Sequence, residues 1–337
     1  MINNRYEFTY FIQAKNANPN GDPDFDNAPR TDSSTGHGYI ADVALKRDIR
    51  DYVNEAYAGK NGYKIIMQAN ADLNKAIFEI AKELSPDGTV EKAKNSTDRA
   101  ALACKKYFDV RAFGAVLSTG KNAGQIKGPV QFEFADSIDE IEVKNVTITR
   151  VAYDSDDEEF TSIEDYENYA MNKEETGKRD MGRKYITPFA LYRVNGYISA
   201  NQAHKTGFNE EDLNILFESI LNSSATNISA SKAGMNVVGP IIIFKHVGHL
   251  QENNELSNRN EALLGCYPAH LLFESISVNK KENVEVARDY KDYDVFVDLE
   301  SIPSVVKVGF KYTPFEDIIW DNISPSDKWI KTNRSHG

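Results

Sequence analysis

Residues 5–53 read RYEFTYFIQAKNANPNGDPDFDNAPRTDSSTGHGYIADVALKRDIRDYV, and their pattern predicts the first strand, a long loop and the first helix of the fold. Over residues 6–12, aromatic and aliphatic side chains alternate with polar ones, which predicts a strand with one buried face. Over residues 41–53, an apolar residue recurs at every fourth position and predicts the buried stripe of a helix. The opposite side of this helix is predicted to present Asp42, Lys46, Arg47 and Arg50. A long polar loop therefore joins two core elements.

The polar loop at residues 16–37 is rich in amide side chains, glycine and proline. Loops of about 20 residues are uncommon inside a compact domain unless they carry a function, because all their backbone polar groups need partners. One interpretation is an ordinary solvated loop followed by an ordinary helix face. The other, favoured by the cations on the helix, is a site for an anion or a polynucleotide.

The formal net charge of −12 over 337 residues argues against a polyanionic ligand, unless the charge is unevenly distributed. Residues 154–177 contain ten acids and a single lysine, so this segment accounts for −9 and leaves −3 for the rest. Residues 99–131 contain six cations and one acid, a net of +5. The sequence therefore allows a basic patch on an acidic protein, although a scattered solvated surface would have the same composition.

The composition of the chain also indicates the cellular compartment in which the protein is expected. Apolar residues make up 41% of the chain and charged residues 27%, as in soluble globular proteins. Cys104 and Cys266 are the two cysteines, so we expect no disulfide framework and a reducing, cytoplasmic location. The sequence begins with a predicted strand rather than a signal peptide. The longest apolar run, residues 237–244, is far shorter than the roughly 20 residues that span a bilayer, so we expect no membrane insertion.

Residues 111–128 form a glycine-rich stretch with cations among the glycines. Glycine allows a ligand to approach the backbone closely, and Arg, Lys and amide groups hold phosphates without reading sequence. The stretch matches neither a Walker loop nor a dinucleotide fingerprint. We therefore predict a phosphate-contacting loop.

Periodicity predicts the remaining elements. Helices are expected at residues 72–84, at 97–108 and, capped by Asn209, at 209–222. Strands are expected at 146–151, 189–198, 237–244, 284–286, 293–297 and 305–310. The strands at 146–151 and 189–198 enclose the acidic segment and predict a hairpin with a polar tip. Strand, helix, strands, helix, strand is the order of a ferredoxin-like core.

Several motifs resemble the backbone subunit of type I CRISPR surveillance complexes, closest to the type I-C branch. They are NPNGD (18–22), NAPRTD (27–32), TGHG (35–38), DVALKR (42–47), DVRAFGAV (109–116), GQIKGPVQ (124–131), TGF (206–208) and FKH (244–246). They occur in the family's order and span most of the chain. The resemblance implies an α+β fold over residues 1–337, with a ferredoxin-like or RRM-like palm of the RAMP superfamily. It also implies a helical finger insertion at residues 54–108 and a thumb β-hairpin at residues 152–185.

The resemblance implies a non-enzymatic protein without a cofactor that polymerises along CRISPR RNA in a Cascade antiviral complex and holds the guide for pairing with target DNA. Its partners would be crRNA, further copies of itself bound head-to-tail, and the large, small and guide-processing subunits. Met181 would suit wedging between bases. The expected RNA-binding residues are Asn18, Asn20, Arg30, His37, Lys46, Arg47, Arg50, Arg111, Lys121, Gln125, Lys127, Met181, Arg183, Lys184 and Lys232.

Two other function classes stay open. Asp22, Asp24 and Asp26 have the first three spacings of a calcium loop but lack its bidentate glutamate, and they could instead hold magnesium in a metal-dependent RNA endonuclease. A plain protein-interaction scaffold would bind no nucleic acid. His246 and His249 are interpreted as structural or exposed rather than metal-binding.

Overall fold

The computed structural model describes residues 1–85, 96–150, 160–172, 180–249, 255–320 and 330–332, an α+β structure. The helices are α1 Asp42–Ala56, α2 Leu73–Glu83, α3 Ser96–Lys106, α4 Phe108–Phe113, α5 Ile163–Asn172, α6 Ala200–Thr206, α7 Glu210–Thr226, α8 Glu255–Leu264 and α9 Ala269–Glu274. The strands are β1 Tyr6–Ala17, β2 Gly21–Asp22, β3 Ala28–Pro29, β4 His37–Ile40, β5 Gly114–Leu117, β6 Gly124–Lys127, β7 Val130–Phe132, β8 Ala135–Glu140, β9 Lys144–Arg150, β10 Asp180–Ile198, β11 Met235–His246, β12 Ile276–Lys280, β13 Tyr293–Val297, β14 Val306–Lys311, β15 Ile319–Trp320 and β16 Ile330–Thr332.

The main sheet is organised around β1, which lies between β10 and β11 and is antiparallel to both. Its strand order is β15-β14-β11-β1-β10-β8-β4. The 19-residue β10 is long enough to pair in turn with β7, β8 and β9 along its other edge. The part of β10 that pairs with β9 extends beyond its pairing with β1, so β9 and β10 form a two-stranded arm. We call residues 144–150 and 180–186 the arm.

Helices α1 and α7 cover one face of the sheet. Leu45, Ile49 and Val53 of α1 are buried, as their spacing predicts. The start of α7 follows from its cap, because the Asn209 side chain accepts from the backbone of Asp212 at 3.1 Å and the Asp212 carboxylate accepts from the Asn209 N–H at 3.0 Å. These helices enclose one hydrophobic core with the sheet.

The opposite face of the sheet is also covered, which corrects the prediction that β1 has a single buried face. Phe11 of β1 packs in a second core with residues from α9, β13 and β14. Glu7 is fully buried, and contacts of its carboxylate with His246 Nε2 at 2.5 Å and Arg5 Nε at 2.6 Å compensate for the lost hydration. The Gln13 side chain accepts from the backbone N–H of Tyr290 at 2.7 Å. Partners that are distant in the sequence thus satisfy the polar side chains of Glu7 and Gln13, although the alternating pattern of the strand suggests that both face water.

Helices α2, α3 and α4 form a small unit with a hydrophobic cluster of its own, built on Ile77, Ile80, Cys104 and Val110. Within the described part of the chain, no helix is both long and apolar enough to cross a bilayer.

Three further expectations differ from the structure. Residues 111–113, predicted as part of the glycine-rich loop, belong to helix α4, because the apolar residues of this helix pack into the core. Residues 284–286 belong to no strand, and β12 pairs with β13 in their place. Along the chain, helix α5 occurs between the two strands of the predicted hairpin. Residues 151–159 and 173–179 of that hairpin are outside the described residues.

Candidate nucleic-acid interface

The polar loop is held in place by its own amide side chains. Asn18 Nδ2 donates to the Asn27 carbonyl at 2.7 Å, and Asn20 Oδ1 accepts from the Ala41 N–H at 3.0 Å. These bonds join the loop to the start of α1 and let short strands β2 and β3 pair within it. Asn18 Oδ1 and Arg30 Nε are buried and find no partner among the described residues.

The Asp22 carboxylate of this loop has structural partners. Asp22 Oδ1 accepts from the Asp24 N–H at 3.2 Å, and Asp22 Oδ2 pairs with Arg30 at 3.3 Å. Asp26 has a left-handed backbone, with φ of 51°. Among the described residues, no group of three or more His, Cys, Asp or Glu side chains is arranged to hold a metal ion.

The cations of α1 are less exposed than their periodicity predicts. Lys46 is only 9% exposed and its Nζ contacts Asp42 at 2.8 Å and Gln131 at 3.1 Å. Arg50 pairs with the buried Asp109 at 3.1 Å. The expectation that both side chains project from the helix is therefore wrong, since each is turned towards a partner on another turn or element. Arg47 is more exposed, in an i,i+4 pair with Asp51 at 2.8 Å.

Arg111 is buried, which corrects its expected place in an open loop. Its guanidinium makes two bonds to Asp212, at 2.7 and 2.9 Å, and a third to the Cys104 carbonyl at 2.7 Å. This geometry ties α4 to the capped start of α7. Arg111 is 7% exposed and is not available at the surface.

The β5–β6 hairpin presents the exposed part of the glycine-rich stretch. Lys121, Gln125 and Lys127 are exposed, and neither lysine is ion-paired with a described carboxylate. Two glycines serve the chain itself rather than a ligand: a Cβ on Gly114 would lie 2.5 Å from the backbone N of Gly128, so the two segments could not approach. The hairpin is thus a cationic surface free of acidic residues.

A second group of expected residues lies where the arm leaves the sheet. Arg183 is exposed, opposite Thr147, whereas Lys184 Nζ donates to the Ala230 carbonyl. Lys232 pairs with Asp48 at 3.1 Å. Burial raises the pKa of the Asp48 carboxyl, and Lys232 acts in the opposite direction. The side chain of Met181 lies outside the described residues.

His37 belongs to neither group, because its Nδ1 lies 2.7 Å from the Ser137 carbonyl on β8. The structure thus brings Asn18, Asn20, Arg30, Lys184 and Lys232 to one end of the sheet, and leaves Lys121, Gln125 and Lys127 on the separate hairpin.

Sequence reasoning missed a third group, Lys60 and Lys64 with Tyr57 and Tyr63, which line a cleft beyond the end of α1. Their interleaving of aromatic and basic residues within eight positions is a signal that could have found them.

A family model described as CRISPR-associated protein Cas7 matches residues 4–298. The chain belongs to the Cas7 family. A curated relative, CRISPR-associated protein Cas7 of Haloferax volcanii, is 27% identical over 229 residues, which cover 62% of this chain. The match spans about three fifths of that relative, 61% of its length.

Solved structures with some likeness include a chain of a "CRISPR RNA-guided surveillance complex, pre-nicking", with a TM-score of 0.42 and 14% identity over 79% of this chain and 83% of that one. A chain of a "CRISPR RNA-guided surveillance complex" gives a TM-score of 0.40 and 12% identity, over 74% of this Cas7-family chain and 71% of the other.

Proposed function

We propose that this protein is a crRNA-binding backbone subunit of a Cascade complex, of the type I-C branch, that holds the guide for pairing with target DNA without cutting nucleic acid. Membership of the Cas7 family over residues 4–298 is the observation that carries this proposal. The exposed cations of the β5–β6 hairpin support it, because a protein that accepts any guide needs phosphate contacts rather than base readout.

The fold supports the proposal. We interpret the order β11-β1-β10-β8, with α1 and α7 on one face, as a ferredoxin-like, RRM-like palm. We assign residues 54–108 to fingers and residues 152–185 to a thumb that begins at the arm. In this arrangement further copies of the chain bind head-to-tail along the RNA, alongside the large, small and guide-processing subunits, in the cytoplasm.

RNA contacts are assigned by exposure. Lys121, Gln125, Lys127 and Arg183 project freely, so we place phosphate contacts there first. Asn18, Asn20, Arg30, Lys184 and Lys232 line the end of the sheet from which the arm extends, and His37 on β4 is a separate proposed contact. Lys46 and Arg50 would have to exchange a carboxylate partner for a phosphate.

The decisive experiment replaces Lys121 and Lys127 together by alanine. We expect weaker binding to guides of unrelated sequence, by a similar factor for each. The slope of the logarithm of the binding constant against the logarithm of the salt concentration should also become less steep by about 1.4. Each of the two lost phosphate contacts with a single strand accounts for about 0.7 of this change. Fluorescence anisotropy between 50 and 300 mM salt would measure both quantities.

The matched control is Lys280→Ala with Lys307→Ala, two exposed lysines outside the assigned surface. An unchanged salt slope in the Lys121/Lys127 variant, or a loss confined to one guide, would refute the hairpin contacts. A protein that copurifies with no RNA from cells expressing a guide, judged by its absorbance ratio, would instead support the plain scaffold.

A further inference from the structure

A cleft of about 330 Å³ lies where the C-terminal end of α1 meets the segment that leads to α2. Its wall contains Asn54, Tyr57, Lys60, Tyr63, Lys64 and Gln68, and none of the described residues that line it is acidic. The proposed guide contacts use none of these side chains. A volume of this size falls in the range of small-molecule sites.

The aromatic wall of the cleft is set before any ligand arrives. The rings of Tyr57 and Tyr63 have centroids 5.6 Å apart and are tilted by 31°. The Tyr57 hydroxyl donates to Glu218 Oε2 at 2.9 Å, which fixes the direction of its ring. Tyr63 is only 6% exposed, so the stacking surface is that of Tyr57, beside the Lys60 ammonium at 5.3 Å from its ring centroid. A fixed aromatic ring of this kind can stack on any nucleobase.

The amide side chains supply a hydrogen-bonding edge. Gln68 Nε2 donates to Asn54 Oδ1 at 2.8 Å. This bond leaves Asn54 Nδ2 as a donor and Gln68 Oε1 as an acceptor, and both residues are exposed. The Watson–Crick edge of each nucleobase presents a donor beside an acceptor, so the amide pair can engage an unpaired base of any type.

The lysines give the cleft its charge. Lys60 Nζ lies 4.5 Å from the centroid of the Tyr63 ring and 2.7 Å from Glu211, at the rim. The hydrogen bond from Lys60 lowers the pKa of Glu211. Lys64 is exposed, while its backbone is anchored to Lys106 and Phe108 by bonds of 3.3 and 2.8 Å. A phosphate beside Lys64 would therefore meet a cation that the described residues leave without a carboxylate.

We propose that this cleft binds one unpaired nucleotide, with the base against Tyr57 and the amide pair and the phosphate at Lys64. The nucleotide can come from RNA or DNA, since the chemistry used is shared. The site does not depend on the proposed guide contacts: it would stand if the β5–β6 hairpin bound nothing.

Calorimetric titration of the full chain with AMP, dAMP, adenosine and ribose 5-phosphate tests the site. We expect AMP or dAMP to bind more tightly than either fragment, and a preference between the two identifies the sugar. Asn54→Ala with Gln68→Ala should weaken AMP about tenfold and leave ribose 5-phosphate unchanged, since a bidentate contact to a base is lost. Lys64→Ala should weaken AMP more than adenosine.

The control is Asn260→Ala, an exposed amide on α8. Photocrosslinking with 8-azido-AMP should label residues 54–68 in the wild type and lose that label in the amide variant. AMP that binds no better than ribose 5-phosphate, or labelling found only elsewhere, would overturn the proposal. The variants replace exposed side chains, so thermal unfolding should match the wild type and confirm that any loss belongs to the site.

Discussion

At the scale of single residues, charge is used in two ways in this chain. Arg111 and Asp212 form a buried pair, with Asp212 fully enclosed, and together they join the helical unit to α7. Lys121 and Lys127 lie on the surface without a described carboxylate partner. Both kinds of residue occur within one basic stretch of the sequence, and only the fold separates a structural cation from one that can meet a phosphate.

Replacing Arg111 by alanine should destabilise the protein by about 3–5 kcal/mol, because the Asp212 carboxylate would stay buried without its partner. Guanidinium chloride unfolding would measure the loss. Arg47→Ala is the matched control: its pair with Asp51 is an exposed i,i+4 contact and should contribute only about 0.3–0.5 kcal/mol. Similar losses for the two variants would contradict the structural role of Arg111.

The limits of sequence reasoning are clearest at buried polar residues. Glu7 and Gln13 look solvent-facing because they alternate with aromatic residues, yet their partners His246 and Tyr290 are 239 and 277 positions away. Arg111 and Asp212 are separated by 101 positions. Periodicity reports on neighbours within a few residues, so it cannot anticipate pairs that only the folded chain brings together.

At the scale of elements, local signals were sufficient where the determinants are local. Helix α7 was predicted because its cap and apolar stripe lie in one continuous segment. Strand β12 and helix α5 were missed because the sequence around them has no combination of cap and apolar stripe comparable with that of α7. The arm lies between these two cases. Strands were predicted at residues 146–151 and 189–198, but the full length of β10, Asp180–Ile198, was not.

The arm presents apolar side chains to solvent. Val146 and Ile148 are 40% and 47% exposed and lie on the face they share with Lys184. Exposed apolar residues that a monomer does not need suggest a contact with another molecule. In the proposed assembly that molecule is the next copy of the chain, bound head-to-tail in an arrangement that does not close on itself.

Replacing Val146 and Ile148 by threonine should therefore shorten assemblies on guide RNA and leave the monomer intact. Threonine keeps the strand preference, and exposed substitutions usually change the free energy of unfolding by less than about 0.5 kcal/mol. Mass photometry on a fixed guide would count the copies. Val286→Thr, at a 60% exposed valine outside both the arm and the β5–β6 hairpin, is the control. Assemblies of unchanged length would exclude this face of the arm from the contact.

At the scale of the whole molecule, the sheet is a middle layer between two coverings. Helices α1 and α7 cover one face, and the C-terminal part of the chain covers the other, over Phe11, Leu191, Ile242 and Phe244. Burying four such side chains contributes roughly 6–12 kcal/mol, which is comparable with the total stability of a domain.

A chain ending after His249 should accordingly expose this face and aggregate. Size-exclusion chromatography and binding of the dye ANS would measure the outcome. A chain ending after Thr332 keeps every described strand and serves as the control. If the shorter chain stayed monomeric and bound no dye, the C-terminal layer would not be what keeps this face from water.

The position of that layer in the sequence has a consequence for how the protein is made. The three longest strands of the main sheet have been synthesised once β11 is complete at His246, yet β16, whose Ile330 packs in the covering core, ends at Thr332. At about 5–20 residues per second, roughly 4–17 s pass between the two events. During that interval the nascent chain presents an uncovered apolar sheet, so slower translation of the last quarter of the message should increase its demand for chaperones.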